Sequence, residues 1–323
     1  MGIDKDFDII ICGQITIDDL VLMDAPVQRD NMGGDAIYGL SGAYMWRQDR
    51  LGLIMRKGTD FDLEELRKLT GGEVDFAGVK NVNTPNLRTF ELFDRYGTRY
   101  FINQTWGGDN KDLSPESIDD FPVEYRGNTR GICVDPIPFP WCLEFLKQLP
   151  KEDAVLLVDP HFNAVFSDNT ENWIDLFSKI DIWAPSENEL TDFFGIKAQD
   201  DLRDYIPYLK KITSYGTKIC VLKLGARGAM AYDSEADKAW HVPAYPHSTV
   251  LDVTGCGDTF CGGFMSGFMN TGSTFEALKY GCTAASFCID HYDSRKNYLV
   301  EERDARERLE EMSELFPEEK CII

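Results

Sequence analysis

Basic residues are scarce in this 323-residue sequence, in which 33 lysines and arginines face 55 aspartates and glutamates, for a net charge of −22. This balance opposes binding to the phosphate backbone of DNA or RNA, so we expect no nucleic-acid partner. The same acidic surface repels small anions. Any anion site therefore needs local help from a metal ion, backbone N–H groups or a few cations.

Metal-ligating patterns are also sparse. There are only four histidines, and none of the nine cysteines forms a Cys-x-x-Cys pair. The cysteines are odd in number and scattered through apolar runs, which predicts reduced core thiols. A structural zinc site is not expected.

No apolar stretch reaches membrane-spanning length, and the N-terminal run MGIDKDFDIIICG carries charges where a signal peptide needs apolar residues. We expect a cytoplasmic protein without a membrane partner. Two common nucleotide motifs are missing as well. The lack of Gly-x4-Gly-Lys-Ser/Thr disfavours a P-loop kinase, and the lack of Gly-x-Gly-x-x-Gly after the first strand disfavours a Rossmann dehydrogenase.

What the sequence does contain is an alternation of short apolar runs with longer amphipathic ones, which predicts a mainly parallel sheet flanked by helices. The predicted strands are residues 7–12, 51–55, 131–134, 154–159, 180–184 and 218–222. Ligands of open α/β sheets collect beyond the carboxyl ends of the strands. We therefore expect the functional residues there.

Two stretches, residues 14–31 and 84–110, break this alternation. In the second, residues 87–93 and 98–103 flank a turn at 94–97 and predict a β-hairpin. The hairpin could be a sheet edge or a lid over an active site, and we favour the lid. No linker divides the chain, so we expect one domain over residues 1–323 with the lid segments inserted in it. Residues 301–320 predict a solvated surface helix.

A glycine turn leads into a helix of small and apolar residues near Asp258. Gly255 and Gly257 allow a tight bend and leave room for an anion. With a helix starting near Asp258, unpaired N–H groups and the positive end of the helix dipole would form a phosphate cradle. Asp258 could then remove a proton from a hydroxyl, although capping of the helix explains the same aspartate.

The run Asp252-Val253-Thr254-Gly255-Cys256-Gly257-Asp258 resembles the second signature of the PfkB, or ribokinase-like, carbohydrate kinases, Asp-Thr-x-Gly-Ala-Gly-Asp, with Val253 and Cys256 as departures. The resemblance extends from about residue 8 to residue 289. It implies a three-layer α/β/α fold with a mainly parallel central sheet and a small β lid. It assigns Asp258 as catalytic base, and Gly255, Cys256 and Gly257 as the anion hole. It also places Thr254 at the ATP and Asp252 at a monovalent-cation site, with K⁺ as the ion.

Further motifs of the family concern the acceptor. The run from Gly13 to Asp18 is similar to Gly-x4-Asp, in which the aspartate binds acceptor hydroxyls; a solvent-exposed acidic turn is the alternative. Gly33 and Gly34 enter a small-residue helix like the first family signature, where the glycines allow backbone to approach the substrate. Tight packing of that helix on the sheet explains the same glycines.

Several acceptor positions depart from the family pattern. Asp35 and Tyr38 replace the usual residues after the glycine pair, so the acceptor contact differs and ribose is in doubt. The resemblance places Arg88 and Asn103 of the hairpin at the substrate or lid. His161 lies in a segment where relatives contact the acceptor, and we assign it no proton-transfer role.

The remaining motifs concern the nucleotide. Ser186 and Glu189 resemble the family's Asn-x-x-Glu motif, in which the glutamate organises water around Mg²⁺, and an ordinary capping box explains the same spacing. The family's nucleotide loop is similar to a run that contributes four further ATP contacts: Lys223, Gly225, Arg227 and Gly228.

Together these motifs predict an ATP- and Mg²⁺-dependent phosphotransferase that acts on a hydroxyl of a small sugar or sugar-like acceptor. Two other functions stay open. One is a nucleoside kinase of the same superfamily, in which Tyr38 or a lid aromatic would stack on a base. The other is a sugar or nucleotide sensor that does not catalyse. Exposed lid edges and aromatics would also allow a homodimer through the lid.

Overall fold

The computed structural model of the chain describes residues 5–22, 25–47, 49–93, 99–104, 107–115, 117–138, 140–165 and 170–323. Within these residues the strands, in chain order, are β1 (Phe7–Cys12), β2 (Thr16–Val21), β3 (Gln28–Gly33), β4 (Leu51–Lys57), β5 (Asp75–Asn81), β6 (Leu87–Phe93), β7 (Arg99–Asn103), β8 (Thr129–Val134), β9 (Val155–Val158), β10 (Ile182–Trp183), β11 (Ile219–Lys223), β12 (Ala229–Asp233) and β13 (Lys238–Val242). The helices are α1 (Asp35–Tyr44), α2 (Leu63–Leu69), α3 (Asn110–Leu113), α4 (Trp141–Gln148), α5 (Thr170–Phe177), α6 (Glu187–Phe194), α7 (Ile206–Thr213), α8 (Cys256–Thr271), α9 (Thr274–Cys288), α10 (Glu302–Leu315) and α11 (Glu318–Cys321).

The large sheet has the strand order β13-β12-β11-β10-β9-β8-β1-β4-β5. Its strands pair in parallel from β11 to β5, whereas β12 and β13 are antiparallel. All six predicted strands belong to this sheet, which confirms the parallel α/β class. Two are shorter than predicted, since β10 covers only Ile182–Trp183 and β9 ends before Asp159.

Two apolar cores lie on the two faces of the large sheet. Side chains alternate between the faces of a strand, so Ile9 and Ile11 enter one core and Ile10 and Cys12 the other. The first core contains residues of α1, α8 and α9, and the second contains residues of α4, α5, α6 and α7. This arrangement is the predicted three-layer α/β/α fold. None of the helices in the described ranges is both long and apolar enough to cross a bilayer.

A smaller sheet with the strand order β3-β2-β6-β7 is built from the two stretches that break the alternation. The predicted hairpin is present as the antiparallel pair β6–β7, and its turn at 94–97 lies outside the described residues. The predicted C-terminal helix forms α10 and α11, separated near Pro317. All nine cysteines are free thiols, and every one except the partly exposed Cys256 is buried.

Candidate active site

The loop before α8 combines a glycine turn with a buried hydrogen-bond network. Gly255 has a φ of 70° directly before the helix, a conformation that glycine adopts at little cost. The Asp252 carboxylate accepts hydrogen bonds from the Thr254 backbone N–H (3.0 Å) and hydroxyl (2.8 Å). Helix α8 begins at Cys256, earlier than predicted, so Asp258 lies within the first turn. The N–H groups at the start of a helix can receive an anion, and here the Cys256 N–H also donates to the Val253 carbonyl at 3.3 Å. We call residues 252–258 the phosphate loop.

Helices α1 and α8 pack so closely at their crossing point that there is no room for side chains between their backbones. A Cβ at Gly42 would overlap the backbone of Thr259, and one at Gly262 would overlap the carbonyl oxygen of Gly39. The small residues of both helices therefore serve close packing, which the sequence left as one of two explanations. This crossing fixes α1 against the first turns of α8.

The glycine pair before α1 meets the second strand. Gly34 has a φ of 95°, and a Cβ there would come within 2.5–2.7 Å of the backbone of residues 14–16. A Cβ at Gly33 would overlap the carboxylate of Asp18, which is 2% exposed and accepts a hydrogen bond from the Thr89 hydroxyl at 2.5 Å. The protein's own packing thus requires both glycines, and it holds Asp18 over the start of α1.

Tyr38 connects this region with the phosphate loop. Its side chain is buried, and its ring lies so close to Gly255 that a Cβ on that glycine would overlap ring atoms. Burial raises the pKa of Tyr38 well above the ordinary tyrosine value, and nearby groups that include Asp18 and Glu91 raise it further. Tyr38 is therefore a neutral hydroxyl packed between Asp18 and the phosphate loop.

Lys223 brings a positive charge to the other side of the phosphate loop. Its ammonium group pairs with the carboxylate of Asp159, and it lies 3.3 Å from the position of a Cβ built on Gly257. Burial alone would lower the pKa of Lys223, but the surrounding carboxylates, Asp159 first and Asp258 among them, raise it. The side chain therefore stays protonated beside the first turn of α8, where it offsets part of the acidic background.

Glu189 takes part in a helix cap and has a raised pKa. The Ser186 hydroxyl accepts from the Glu189 N–H (3.4 Å), and the Glu189 carboxylate accepts from the Ser186 N–H (2.6 Å), so the predicted capping box is present at the start of α6. Burial, then the Asp159 charge, raises the pKa of Glu189 to about 7, while Lys223 opposes the shift. Asp159 and Lys223 both act on the pKa of Glu189, so the three groups form one charged cluster. In this cluster the Glu189 carboxylate could contact the metal ion of a bound nucleotide.

The remaining nucleotide-loop residues form a tight turn after β11. Gly225 and Gly228 have φ values of 56° and 87°, and a Cβ at Gly228 would overlap the following strand's backbone. Arg227 forms an ion pair of 2.5 Å with Glu187 of α6 and donates to the Gln199 carbonyl at 3.0 Å. The turn is thereby tied to α6.

The structure adds three buried carboxylates that the sequence reasoning did not assign to the site. Asp135 and Asp159 directly follow β8 and β9, and burial, then the charges of Asp258 and Asp159, raises the pKa of Asp135 well above its usual range. The Glu91 carboxylate of β6 lies 3.2 Å from the Thr254 hydroxyl oxygen, whose single proton it shares with the Asp252 carboxylate. Their position after strands could have identified the two aspartates, but Glu91 follows no such rule.

Asp35, Asn103 and His161 lie less centrally. Asp35 is the first residue of α1 and adds to the field that raises the pKa of Asp135. Asn103 is exposed at the end of β7, directly opposite Thr89. His161 caps a short 3₁₀ turn, where its Nδ1 accepts from the Asn163 N–H at 3.2 Å.

Arg88 lies on the opposite side of the smaller sheet from Asp18. Successive residues of a strand point to opposite faces, and Thr89, not Arg88, bonds Asp18. The guanidinium forms ion pairs with Asp30 (2.8 Å) and Asp60 (3.0 Å). These contacts connect the smaller sheet to the loop after β4. The substrate or lid contact that the resemblance assigns to Arg88 stays a prediction.

The sequence profile of the pfkB family of carbohydrate kinases matches residues 53–299. The chain belongs to this family. A cytidine kinase from Thermococcus kodakarensis is 24% identical over 278 residues, which are 86% of this chain and 94% of that protein.

Two solved structures share the fold of this pfkB-family chain. Arabidopsis thaliana ribokinase, complexed with ribose and ATP, has a TM-score of 0.72 at 18% identity and covers 94% of this chain and 98% of its own. A ribokinase II candidate from E. coli, in complex with ATP and Mg²⁺, has a TM-score of 0.73 at 16% identity, with 94% and 99% covered. The predicted ribokinase-like fold is thus confirmed.

Proposed function

We propose that this pfkB-family protein transfers the γ-phosphoryl group of ATP to a hydroxyl of a small sugar or sugar-like acceptor, with Asp258 as the base. The observation that supports this most is convergence. Asp258 lies in the first turn of α8, and its charge raises the pKa values of Lys223 and Asp135. Tyr38 connects the same loop to Asp18.

In this proposal each group has a separate task. Asp18 accepts hydrogen bonds from acceptor hydroxyls, and Asp258 removes the proton of the attacking hydroxyl. The N–H groups of the loop at Gly255, Cys256 and Gly257 and the Lys223 ammonium stabilise negative charge on the transferred group. Positioning and charge stabilisation account for most of the catalysis in phosphoryl transfer.

The residues at the site fit a magnesium nucleotide. Asp135 Oδ2 and Asp159 Oδ1 are buried and have no hydrogen-bond partner within the described part of the chain, as expected of groups that bind water, an ion or substrate. Glu189 and Asp159 would hold hydrated Mg²⁺, since this ion keeps several waters and needs few carboxylates. When bound, MgATP supplies the phosphoryl group and the divalent charge that balances it.

The smaller sheet would serve as a lid. Glu91 already links β6 to Thr254 of the phosphate loop, so closure of this sheet would exclude water from the reaction. Its opposite face bears exposed apolar side chains at Phe90, Tyr100 and Ile102. These support pairing of two copies through their lids.

A nucleoside is the second candidate acceptor, because of one aromatic residue. Phe101 lies directly opposite Glu91 and so shares the face that meets the phosphate loop, and it is 47% exposed. Such a ring can stack on a base. Tyr38, in contrast, is buried against Gly255. The cytidine kinase that aligns over 86% of the chain adds support for this class.

The test is an ATP-consumption screen over pentoses, hexoses, sugar acids, polyols and nucleosides, repeated with Asp258→Asn. We expect turnover with at least one acceptor, and a fall in kcat of roughly 10²- to 10⁴-fold in the variant because it lacks the base. ATP binding and the thermal midpoint should be retained. Asp192→Asn, the same change at an exposed site, should leave kcat unchanged.

Two results would contradict the proposal. Turnover by Asp258→Asn at the parental rate would remove Asp258 from the chemistry. No consumption of ATP with any acceptor would instead favour a sensor.

A further inference from the structure

The smaller sheet contains a buried amide nitrogen that has no hydrogen-bond partner among the residues the structure describes. Asn31 of β3 is 5% exposed, and its Nδ2 forms no hydrogen bond within the described part of the chain. A buried donor left unpaired costs free energy, so such a group in a native fold calls for an explanation. A ligand oxygen would satisfy it.

The sheet register places Asn31 beside the proposed acceptor residue. Asn31 is directly opposite Asp18, Asp18 is level with Thr89, and Thr89 is opposite Asn103. Paired residues of neighbouring strands point to the same face, with Cβ atoms about 4.5–5.5 Å apart in an antiparallel pair. The four side chains therefore form one polar row across all four strands.

This row faces the phosphate loop. Glu91 lies two residues beyond Thr89 and so shares its face, and the Glu91 carboxylate accepts from the Thr254 hydroxyl at 3.2 Å. A bulge between Asp18 and Leu20 lies beside Asn31, where Asp30 has a φ of 52°. Bulges change the direction of neighbouring side chains. The unpaired amide and the Asp18 carboxylate thus lie side by side on the face from which an acceptor is held.

We infer that Asn31 is a specificity-determining residue, and that its Nδ2 donates to an acceptor oxygen adjacent to the hydroxyl bound by Asp18. The inference rests on the proposed function and narrows its substrate class. A carboxylate accepts hydrogen bonds and an amide nitrogen donates them, so the pair matches two neighbouring oxygens of a polyol, sugar ring or ribose. Acceptors that lack the second oxygen leave Asn31 unpaired and bind more weakly.

The experiment compares Asn31→Leu, which keeps the branched shape at Cγ with a larger volume but removes the donor, with the smaller Asn31→Ala. Kinetics use an acceptor found in the ATP-consumption screen and its single-deoxy analogues. We expect the KM for the acceptor to rise roughly three- to tenfold, the worth of one hydrogen bond, with the KM for ATP unchanged. Since Nδ2 has no hydrogen-bond partner within the described part of the chain, loss of the donor should not by itself lower the thermal midpoint. Gln28→Ala on the same strand removes a partly exposed amide that donates to the Pro26 carbonyl and is the control.

The deoxy analogues separate this role from a structural one. The parent enzyme should bind one of them three- to tenfold more weakly than the full acceptor, and Asn31→Leu should bind both equally. Equal KM values for parent and variant, or equal losses for every analogue, would overturn the inference while leaving the kinase proposal intact. If the parent phosphorylates no acceptor, binding is measured by calorimetry without ATP on the same panel. An acceptor that binds the parent and Asn31→Leu equally, or a panel that does not bind, overturns the inference too.

Discussion

Gly255 carries two constraints that can be separated by experiment. Its φ of 70° disfavours other residues, and a Cβ would also overlap the Tyr38 ring. Gly272 has nearly the same φ, 68°, with no atom within 4 Å of its Cβ position. Both Gly→Ala variants incur the backbone cost of about 1 kcal/mol, but only Gly255→Ala must displace Tyr38.

We therefore expect Gly255→Ala to lower the free energy of unfolding by about 1–3 kcal/mol more than Gly272→Ala does, and to reduce kcat. Urea unfolding and steady-state kinetics of both variants check this. In a double-mutant cycle, Gly255→Ala should cost less stability in a Tyr38→Ala background than in the parent, because the overlapping ring is absent. Equal losses in the two single variants would show that the ring does not constrain the loop.

The contrast between Asp258 and Glu91 shows what individual residues reveal in a sequence. Asp258 stands in a run of glycines at fixed spacing, so its place at a helix start could be predicted from local chemistry. Glu91 reaches Thr254 only because β6 pairs with β2 and folds over the loop. That contact joins positions far apart in the chain. Asn31 is hidden for the same reason, since only the register reveals its neighbour Asp18.

The start of α6 allows a test of two roles for Glu189. Its carboxylate accepts from the Ser186 N–H, which is a capping contact that glutamine can also make. We expect Glu189→Gln to raise the thermal midpoint above pH 7, because burial disfavours the charge that it removes. It should weaken MgATP binding, because it loses the charge near the metal. Glu189→Ala also loses the capping contact, so its free energy of unfolding should be about 1 kcal/mol lower than that of Glu189→Gln.

Calorimetric titration with MgATP and thermal unfolding of both variants check this prediction. Ser186→Ala, which removes only the other half of the capping box, is the control and should change stability with little effect on MgATP affinity. If Glu189→Gln binds MgATP like the parent, the glutamate is only a helix cap.

Among the elements, those with a strong local pattern could be predicted and those fixed by pairing could not. The β-branched run of β1 and the hairpin β6–β7 are evident from composition. Strand β12, with the sequence AMAYD, is rich in alanine, which is depleted in strands, and it exists because it pairs with β11. Strand β10 is shorter than its apolar run predicts, because only Ile182 and Trp183 pair in register with both neighbouring strands.

The net charge of −22 makes the balance of buried carboxylates important for the stability of the whole chain. Some, such as Asp181, have lysine partners and a lowered pKa despite burial. Others have no cation at hydrogen-bond distance among the residues that the structure describes. Asp49 accepts hydrogen bonds from the Ser266 hydroxyl and from Asn270 Nδ2 (2.9 Å), both on α8. Burial nevertheless raises its pKa to about 6, against an ordinary 3.8.

An acid with a raised pKa in the folded state keeps its proton at pH values where the unfolded chain has lost it. Stability therefore falls as pH rises from about 4 to about 6, and the whole penalty applies above that range. The shift corresponds to about 3 kcal/mol at most.

Asp49→Asn is neutral at every pH and can keep both contacts. It should therefore raise the thermal midpoint clearly more at pH 7.5 than at pH 4.5, where only part of the penalty applies, whereas Asp192→Asn should show no such difference. Calorimetric unfolding at the two pH values measures the effect, and a variant less stable than the parent at both would mean that the Asp49 charge stabilises the contact with α8.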